Sequence, residues 1–251
     1  MQQHPGLYDV LEGLQSTFRR WGYRLKGSKA DGDYWAKRHL DAKKRFKDDW
    51  SLERIDWLEG YKNSVTHTHR QFLVDRLREY APLSVLEIGS NCGPNLMLLA
   101  EQLKDAEMVG IDINPAAVEQ GNLWAKEKGI SNLKFLLGDA TCLSSFTAKK
   151  FDLVFADAVL LYLGPDAIEN VAREMLRVAK KGVVLMEWHE ESGGATKWGR
   201  LRKHWVRNYR LLFADLVGPE QVRISKLPDH LWEDRNWKRF GALIEVLNPS
   251  Q

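Results

Sequence analysis

The sequence predicts an α/β protein built on a doubly wound, mostly parallel sheet. Two observations predict it. Residues 84–95 read as a buried strand, a glycine turn and a helix start. From there to residue 188, short apolar runs alternate with amphipathic helical stretches, the pattern of parallel strands joined by right-handed crossovers.

The elements follow in chain order. Leu7, Val10, Leu11 and Leu14 make a first amphipathic helix that Phe18 and Trp21 extend, and Gly22 and Gly27 break it. Tyr34 and Trp35 open a second helical stretch. Residues 64–80 form a third, with Phe72, Leu73, Leu77 and Tyr80 on its apolar side and Pro82 as its stop. Residues 1–80 are therefore read as a helical extension or cap, and 81–251 as the core.

In the core, Val85, Leu86 and Ile88 suit a strand buried on both faces. Gly89 and Gly93 permit a tight turn, and Pro94 fits the first helical position. Strand 84–89 leads to helix 94–104, strand 108–113 to helix 115–129, and strand 133–137 to a polar connection through Ser144, Ser145 and Thr147. Strand 151–156 leads to helix 165–179, and strand 182–188 closes the parallel set. Segments 221–226 and 240–247 read as two further strands. Between them and the parallel set lies an insertion at about 193–220, opened by Gly193 and Gly194. Trp198, Leu201, Trp205, Tyr209 and Leu212 fall on one side at helical spacing, so a helix over 198–213 is expected. Arg200, Lys203, Arg207 and Arg210 fall nearly opposite.

The 251 residues, 44% hydrophobic, suffice for one domain with an elaborated edge. No apolar run approaches the ~20 residues of a membrane span, and no export signal is visible at the N-terminus. Cys92 and Cys142 are the two cysteines. That usage fits a reducing cytoplasm and excludes a Cys-rich zinc site. The seven histidines show no metal-ligand spacing, so no metal is expected. A net charge of +3 is too small to imply nucleic-acid binding. Residues 19–54 interleave Arg and Lys with Asp, as a solvated helical face does.

The turn at 89–93 is not a dinucleotide fingerprint. Asn91 stands where a second glycine would let the backbone approach a pyrophosphate, and Glu87 would repel that group and attract a cation. S-adenosylmethionine (SAM) has no phosphate and carries a sulfonium and an ammonium group. Asp112, about 20 residues past the turn, has the spacing of a carboxylate that holds ribose hydroxyls.

With Leu86-Glu87-Ile88-Gly89-Ser90-Asn91-Cys92-Gly93, Gly110-Ile111-Asp112-Ile113, Gly138-Asp139-Ala140 and Phe151-Asp152-Leu153-Val154-Phe155-Ala156-Asp157 in this order and spacing, the chain resembles the class I SAM-dependent methyltransferases over residues 65–190. Asn91 departs from the glycine that many members carry and should narrow the loop. The resemblance implies a Rossmann-like sheet of seven strands with the last antiparallel. It implies SAM as cofactor and S-adenosyl-L-homocysteine as its product. It places Glu87, Gly89, Ser90 and Gly93 around the methionine part, Asp112 on the ribose, Ile113 against adenine, Asp139 toward the adenine amino group with Ala140 beside the ring, and Asp157 where the methionine end meets the acceptor. Aromatic and basic residues such as Tyr34, Trp35, Tyr61, His67, His69 and Arg70 would cover that end.

Bases are sought at the ends of the fourth and fifth strands, where Asp157, Tyr162 and His189 stand, His189 favoured because a free imidazole titrates near neutrality. Were the insertion a lid, Arg200, Lys203, His204, Arg207 and Arg210 would hold an anionic acceptor. The sequence thus reads as a cytoplasmic methyltransferase acting on a small polar or anionic molecule, such as a sugar, a nucleotide-sugar or a phosphorylated metabolite, with oxygen the preferred atom. The rivals are an RNA or protein methyltransferase and a catalytically silent SAM-binding scaffold. Ala156-Asp157-Ala158-Val159 lacks the Asn/Asp-Pro-Pro-Tyr/Phe motif that marks base-nitrogen methylation in several relatives.

Overall fold

Apolar runs at 84–88, 107–112 and 151–157 form the centre of the sheet, because strands covered by helices on both faces must be apolar on both. The structure is a computed structural model that describes residues 29–37, 57–141, 143–194, 200–201 and 204–248. Its strands are β1 (Ser84–Ile88), β2 (Glu107–Asp112), β3 (Leu133–Leu137), β4 (Phe151–Asp157), β5 (Ala179–Trp188), β6 (Arg200–Leu201), β7 (His204–Trp205), β8 (Val222–Lys226) and β9 (Gly241–Leu247). Its helices are α1 (Lys29–Ala36), α2 (Trp57–Asn63), α3 (Thr68–Arg78), α4 (Pro94–Gln102), α5 (Pro115–Glu127), α6 (Ile168–Val178), α7 (Tyr209–Val217) and α8 (Arg235–Phe240).

The seven-stranded sheet has the order β3-β2-β1-β4-β5-β9-β8. The first five strands are parallel, and β9 runs antiparallel to both β5 and β8, as the family pattern implied. One face carries Val85, Met108, Phe155 and Met186 against Leu73, Leu77, Leu96, Leu99 and Trp124. The other carries Leu86, Val109, Val154 and Leu185 against Ile168, Val171, Met175, Tyr209 and Phe213. Phe135 of β3 lies in a slot made by three glycines. A Cβ at Gly93, Gly110 or Gly121 would stand 2.0, 2.6 or 2.8 Å from its ring. Among the described residues no helix is long and apolar enough to cross a membrane.

Three expectations are corrected. Residues 64–80 are not one helix: a 3-10 turn spans Ser64–Thr66, and His67 is extended (φ −69°, ψ 134°) before α3 begins. The break is held by polar groups, since Ser64 Oγ donates to the Tyr61 carbonyl and Arg70 Nε to the Ser64 carbonyl. Tyr34 and Trp35 lie near the end of α1 rather than at a helix start. The helix expected over 198–213 is instead the β6–β7 hairpin followed by α7. Residues 207 and 208 run beside 189–194, with Glu190 N donating to Arg207 O and Asn208 N to Gly194 O. Asn208 then caps α7 by accepting from Leu211 N at 3.1 Å. The first helix expected at residues 7–21 lies outside the described residues.

Candidate functional site

Strand order reverses beside β1, because the chain winds outward through β2 and β3 and then returns to place β4 on the other side. Such a switch point leaves a crevice at the carboxyl ends of the strands. Here it is a cavity of about 560 Å³, within the range of small-molecule sites. Its walls are the turn after β1 (Gly89, Asn91), the end of β2 (Asp112, Ile113), Asp139 and Ala140 after β3, and Asp157 to Val159 after β4. Lys29, Asp31 and Trp35 of α1 and Tyr61 of α2 complete it. Asn114 Nδ2 donates to the Trp35 carbonyl at 3.3 Å and ties α1 to the core.

The turn keeps its shape through left-handed residues at Gly89 (φ 68°), Asn91 (φ 52°) and Gly93 (φ 84°). Asparagine tolerates this region because its side chain bonds locally, and Cys92 N donates to Asn91 Oδ1 at 2.7 Å. Gly89 and Ser90 donate to the Ile111 carbonyl at 2.8 and 3.0 Å. A Cβ at Gly89 would stand 2.5 Å from Val159 Cγ2, so this glycine makes room for the loop after β4.

Asp112 accepts from Asn91 N at 2.7 Å and from Asn114 N at 2.8 Å. Burial raises its carboxyl, and these backbone donors oppose the rise. Asp139 accepts from Thr141 N and Thr141 Oγ1.

The densest polar cluster centres on Asp157. His69 Nε2 at 3.2 Å, Asn95 Nδ2 at 3.2 Å and Arg70 Nη1 at 3.4 Å converge on Asp157 Oδ2. Asp157 Oδ1 is buried with no partner among the described residues. Burial pushes this carboxyl up, but the hydrogen bond and charge of His69, then Arg70 and Asn95, outweigh it and hold the group below its ordinary value. Asn95 Nδ2 also donates to Glu87 Oε1 at 2.7 Å, and Arg70 Nη1 donates to Asn95 Oδ1 at 2.9 Å. Behind them His69 stacks on Trp232 at 4.1 Å, and Trp232 on Trp237 at 4.4 Å. Glu87 is pushed up to about 8 by burial, against the hydrogen bond from Asn95.

The structure brings together Gly89, Asp112, Ile113, Asp139, Ala140, Asp157 and Tyr162 on one cavity. Glu87, Ser90 and Gly93 lie behind its surface: Gly93 seats Phe135, and Ser90 Oγ donates to the Asn91 carbonyl. His189 does not line the cavity. Its Nδ1 accepts from Tyr209 N at 3.2 Å, and its Nε2 stands 3.3 Å from Glu191.

The basic residues of the insertion do not form one free face. Arg207 is fully buried and donates to the carbonyls of Leu160 at 2.8 Å and Leu163 at 2.6 Å. Arg210 is engaged by Glu191 and the Val222 carbonyl. His204 Nε2 lies 3.3 Å from Tyr162 Oη. Lys203 and the Arg200 side chain lie outside the described residues. Sequence reasoning missed Asn95, whose signal was one polar residue in the apolar first turn of α4, and Trp232, which carried none.

A family model for a methyltransferase domain matches residues 81–214. The chain belongs to the methyltransferase-domain family. Its sheet, the switch-point cavity and the four motifs in register are those of a class I SAM-dependent methyltransferase. This methyltransferase is 35% identical over 102 residues to aklanonic acid methyltransferase DauC of Streptomyces sp. (strain C5), a match covering 40% of this chain and less than half, 46%, of that relative. It is 23% identical over 207 residues to the tRNA (guanine-N(7)-)-methyltransferase of Photobacterium profundum, covering 78% and 71% of the two chains. In fold it is similar to magnesium protoporphyrin IX methyltransferase (ChlM) of Synechocystis PCC 6803 with bound SAM, with a TM-score of 0.60, 14% identity, and 88% and 97% of the chains covered.

The residues present fit SAM, the cofactor of the class. An unpartnered buried oxygen on Asp157 suits an ammonium group, Asp112 keeps acceptor capacity for hydroxyls, and Ile113 and Ala140 offer apolar contact to a purine. When bound, SAM supplies an electrophilic methyl group and leaves as a neutral thioether.

Proposed function

We propose that this methyltransferase transfers the methyl group of SAM to an oxygen of a small hydroxylated molecule. One observation carries the choice of oxygen. Tyr162 lines the cavity, and its hydroxyl stands 3.3 Å from His204 Nε2. A hydroxyl acceptor gains from a base that removes its proton as the new bond forms. Tyr162 Oη takes that proton while its own passes to His204 Nε2, so the proton ends on the imidazole. Trp35, at 4.8 Å from Tyr162, and the rings of Tyr162 and Trp188 around His204 hold the pair in place.

Lining charges support a neutral sugar or phenol over a phosphorylated acceptor. The described wall presents the carboxyl groups of Asp112 and Asp139, which do not favour a polyanion, and Arg207 and Arg210 are occupied elsewhere. The relative named for aklanonic acid supports a small acceptor; the tRNA methyltransferase relative keeps the nucleic-acid reading as the rival.

Incubation with methyl-labelled SAM and size-fractionated extract decides between them. Label in the small-molecule fraction is expected, and label in RNA or protein refutes the proposal. With the acceptor so found, Tyr162→Phe should lower kcat by ~10²–10⁴ with SAM affinity kept. Near-normal turnover would remove the Tyr162–His204 pair from the reaction.

A further inference from the structure

We propose that Asn114, in the turn after β2, is a positioning residue that holds Trp35 of α1 against Tyr162 and so sets the geometry of the proposed base. The inference rests on the reading of Tyr162 as that base and adds the residue that keeps its aromatic neighbour in place. Asn114 acts through the backbone of α1 and not through the reacting atoms.

One side chain here closes two helices. Asn114 Oδ1 accepts from Ala116 N at 3.1 Å and from Ala117 N at 3.4 Å, which caps the start of α5. Asn114 Nδ2 donates to the Trp35 carbonyl at 3.3 Å. Trp35 stands in the last turn of α1, where helix carbonyls have no partner within the helix. Asn114 is only 1% exposed, so both bonds are made away from water, where leaving either group unpaired is costly. The backbone is fixed as well, since Asn114 N donates to Asp112 Oδ1 at 2.8 Å.

The residue type fits this double duty. As a helix cap, aspartate or serine serves as well as asparagine, and at a helix start aspartate also gains from the dipole. Neither has the second arm of a carboxamide. An ionised aspartate only accepts and serine offers one short oxygen, whereas an amide accepts at one atom and donates at the other. Capping alone therefore does not call for asparagine; the Trp35 carbonyl does. Gly32 of α1 lies against Ile113, where an added Cβ would stand 3.4 Å from Cδ1, so α1 is seated on the end of β2 by packing and by this bond.

Through that seat the effect reaches the reacting centre. The Trp35 ring meets Tyr162 at 4.8 Å and 66°, and Tyr162 meets the His204 ring at 4.9 Å and 64°, with Oη 3.3 Å from Nε2. Rings packed edge to face hold each other's angle. A group displaced by about 1 Å in a reacting site costs up to ~10²-fold in rate. Loss of the α1 tie therefore lowers turnover without removing any group that meets the acceptor.

Hydrogen exchange and kinetics on the full chain test this. Asn114→Ser keeps a capping oxygen and loses the amide donor. Exchange at the amides of Asp33–Ala36 should rise by about 2- to 13-fold, the worth of one net hydrogen bond, with the sheet protected as in the parent. Asn114→Asp, which matches the shape and has no donor, should do the same and guards against a folding defect in the serine variant. The maximal rate of label transfer from SAM into extract, which needs no identified acceptor, should fall by up to ~10²-fold, while S-adenosyl-L-homocysteine still binds in calorimetry. A double-mutant cycle separates positioning from stability. Once Trp35→Ala has removed the ring, adding Asn114→Ser should cost no further rate, although α1 still exchanges faster. Unchanged α1 exchange in both variants overturns the proposal, as does an undiminished maximal rate or a fully additive loss in the Trp35→Ala background. Normal turnover by Tyr162→Phe would instead remove the base reading, and a parent that transfers no label would refute the function itself, results distinct from these.

Discussion

Replacing Arg207 by methionine should destabilise the protein by about 3–5 kcal/mol and leave the charge properties of the cavity unchanged. The sequence placed Arg207 on a solvated or ligand-facing side of a helix, where charge reversal would act on acceptor binding. In the structure its guanidinium donates to the carbonyls of Leu160 and Leu163 at 2.8 and 2.6 Å. From the other side Glu187 accepts from the N–H groups of Val159, Leu160 and Leu161 at 2.8, 2.7 and 3.0 Å. The 3-10 turn at Leu160–Tyr162 is thus gripped by both its carbonyls and its amides. Methionine matches much of the apolar stem but leaves two buried carbonyls unpaired, each worth ~1–3 kcal/mol. Two such carbonyls bracket the expected loss of about 3–5 kcal/mol.

Urea denaturation measures the effect, and the loss should be insensitive to salt because the group is wholly buried. Since the turn carries Tyr162, the folded fraction of Arg207→Met should also show reduced kcat on the acceptor identified by labelling. A loss below ~1 kcal/mol, or an acceptor KM that rises steeply with stability intact, would refute the clamp and restore a ligand-facing arginine.

Two further outcomes follow from the buried acids. Glu87, raised from 4.5 to about 8, binds a proton in the folded state that the unfolded chain has lost, so its contribution is fully present below pH ~4.5 and is lost as pH rises to about 8. Glu87→Gln should therefore gain stability relative to the parent across that window in melts recorded against pH, and a constant difference would refute the shift. Asp112→Ala should weaken SAM binding by ~1.5–3 kcal/mol in calorimetry; it should also lower thermal stability, because Asp112 accepts from Asn91 N and Asn114 N, and unchanged affinity would remove it from the ribose.

The core was legible for a plain physical reason. Strands covered on both faces are continuous apolar runs, and a left-handed turn demands glycine or asparagine, so β1, its turn and α4 announce themselves in the sequence. The flanks were not legible because their geometry is set by distant partners. His67 caps α3 by accepting from His69 N, and the Ser64–Arg70 bonds hold the break before it. Trp205 and Tyr209 are four apart, as on a helix face, yet one belongs to a hairpin and the other opens α7. Arg207 shares a helical spacing with Arg200, Lys203 and Arg210, and the need of two buried carbonyls for a donor overrides it.

The same dependence on distant partners explains why α3, which carries no family motif, shapes the site. Its first turn delivers His69 and Arg70 to Asp157 at the end of β4. In its last turn, Arg76 makes a bidentate pair with buried Glu245 of β9, with Nε–Oε1 at 2.8 Å and Nη2–Oε2 at 2.9 Å, and Tyr80 Oη donates to the same carboxylate at 2.5 Å. Burial pushes Glu245 up, but these donors hold it below its ordinary value, and bidentate charge-assisted pairs fix orientation as well as position. Leu73, Val74 and Leu77 fill the space between. The helix is therefore pinned on the sheet at two places, one on β4 and one on β9, and cannot slide along its axis without breaking a buried ion pair. Because His69 and Arg70 are held this way, Asp157 Oδ2 stays occupied and Oδ1 faces one fixed direction. The carboxylate at the end of β4 is thereby kept in one orientation by a helix whose other end is fixed on β9.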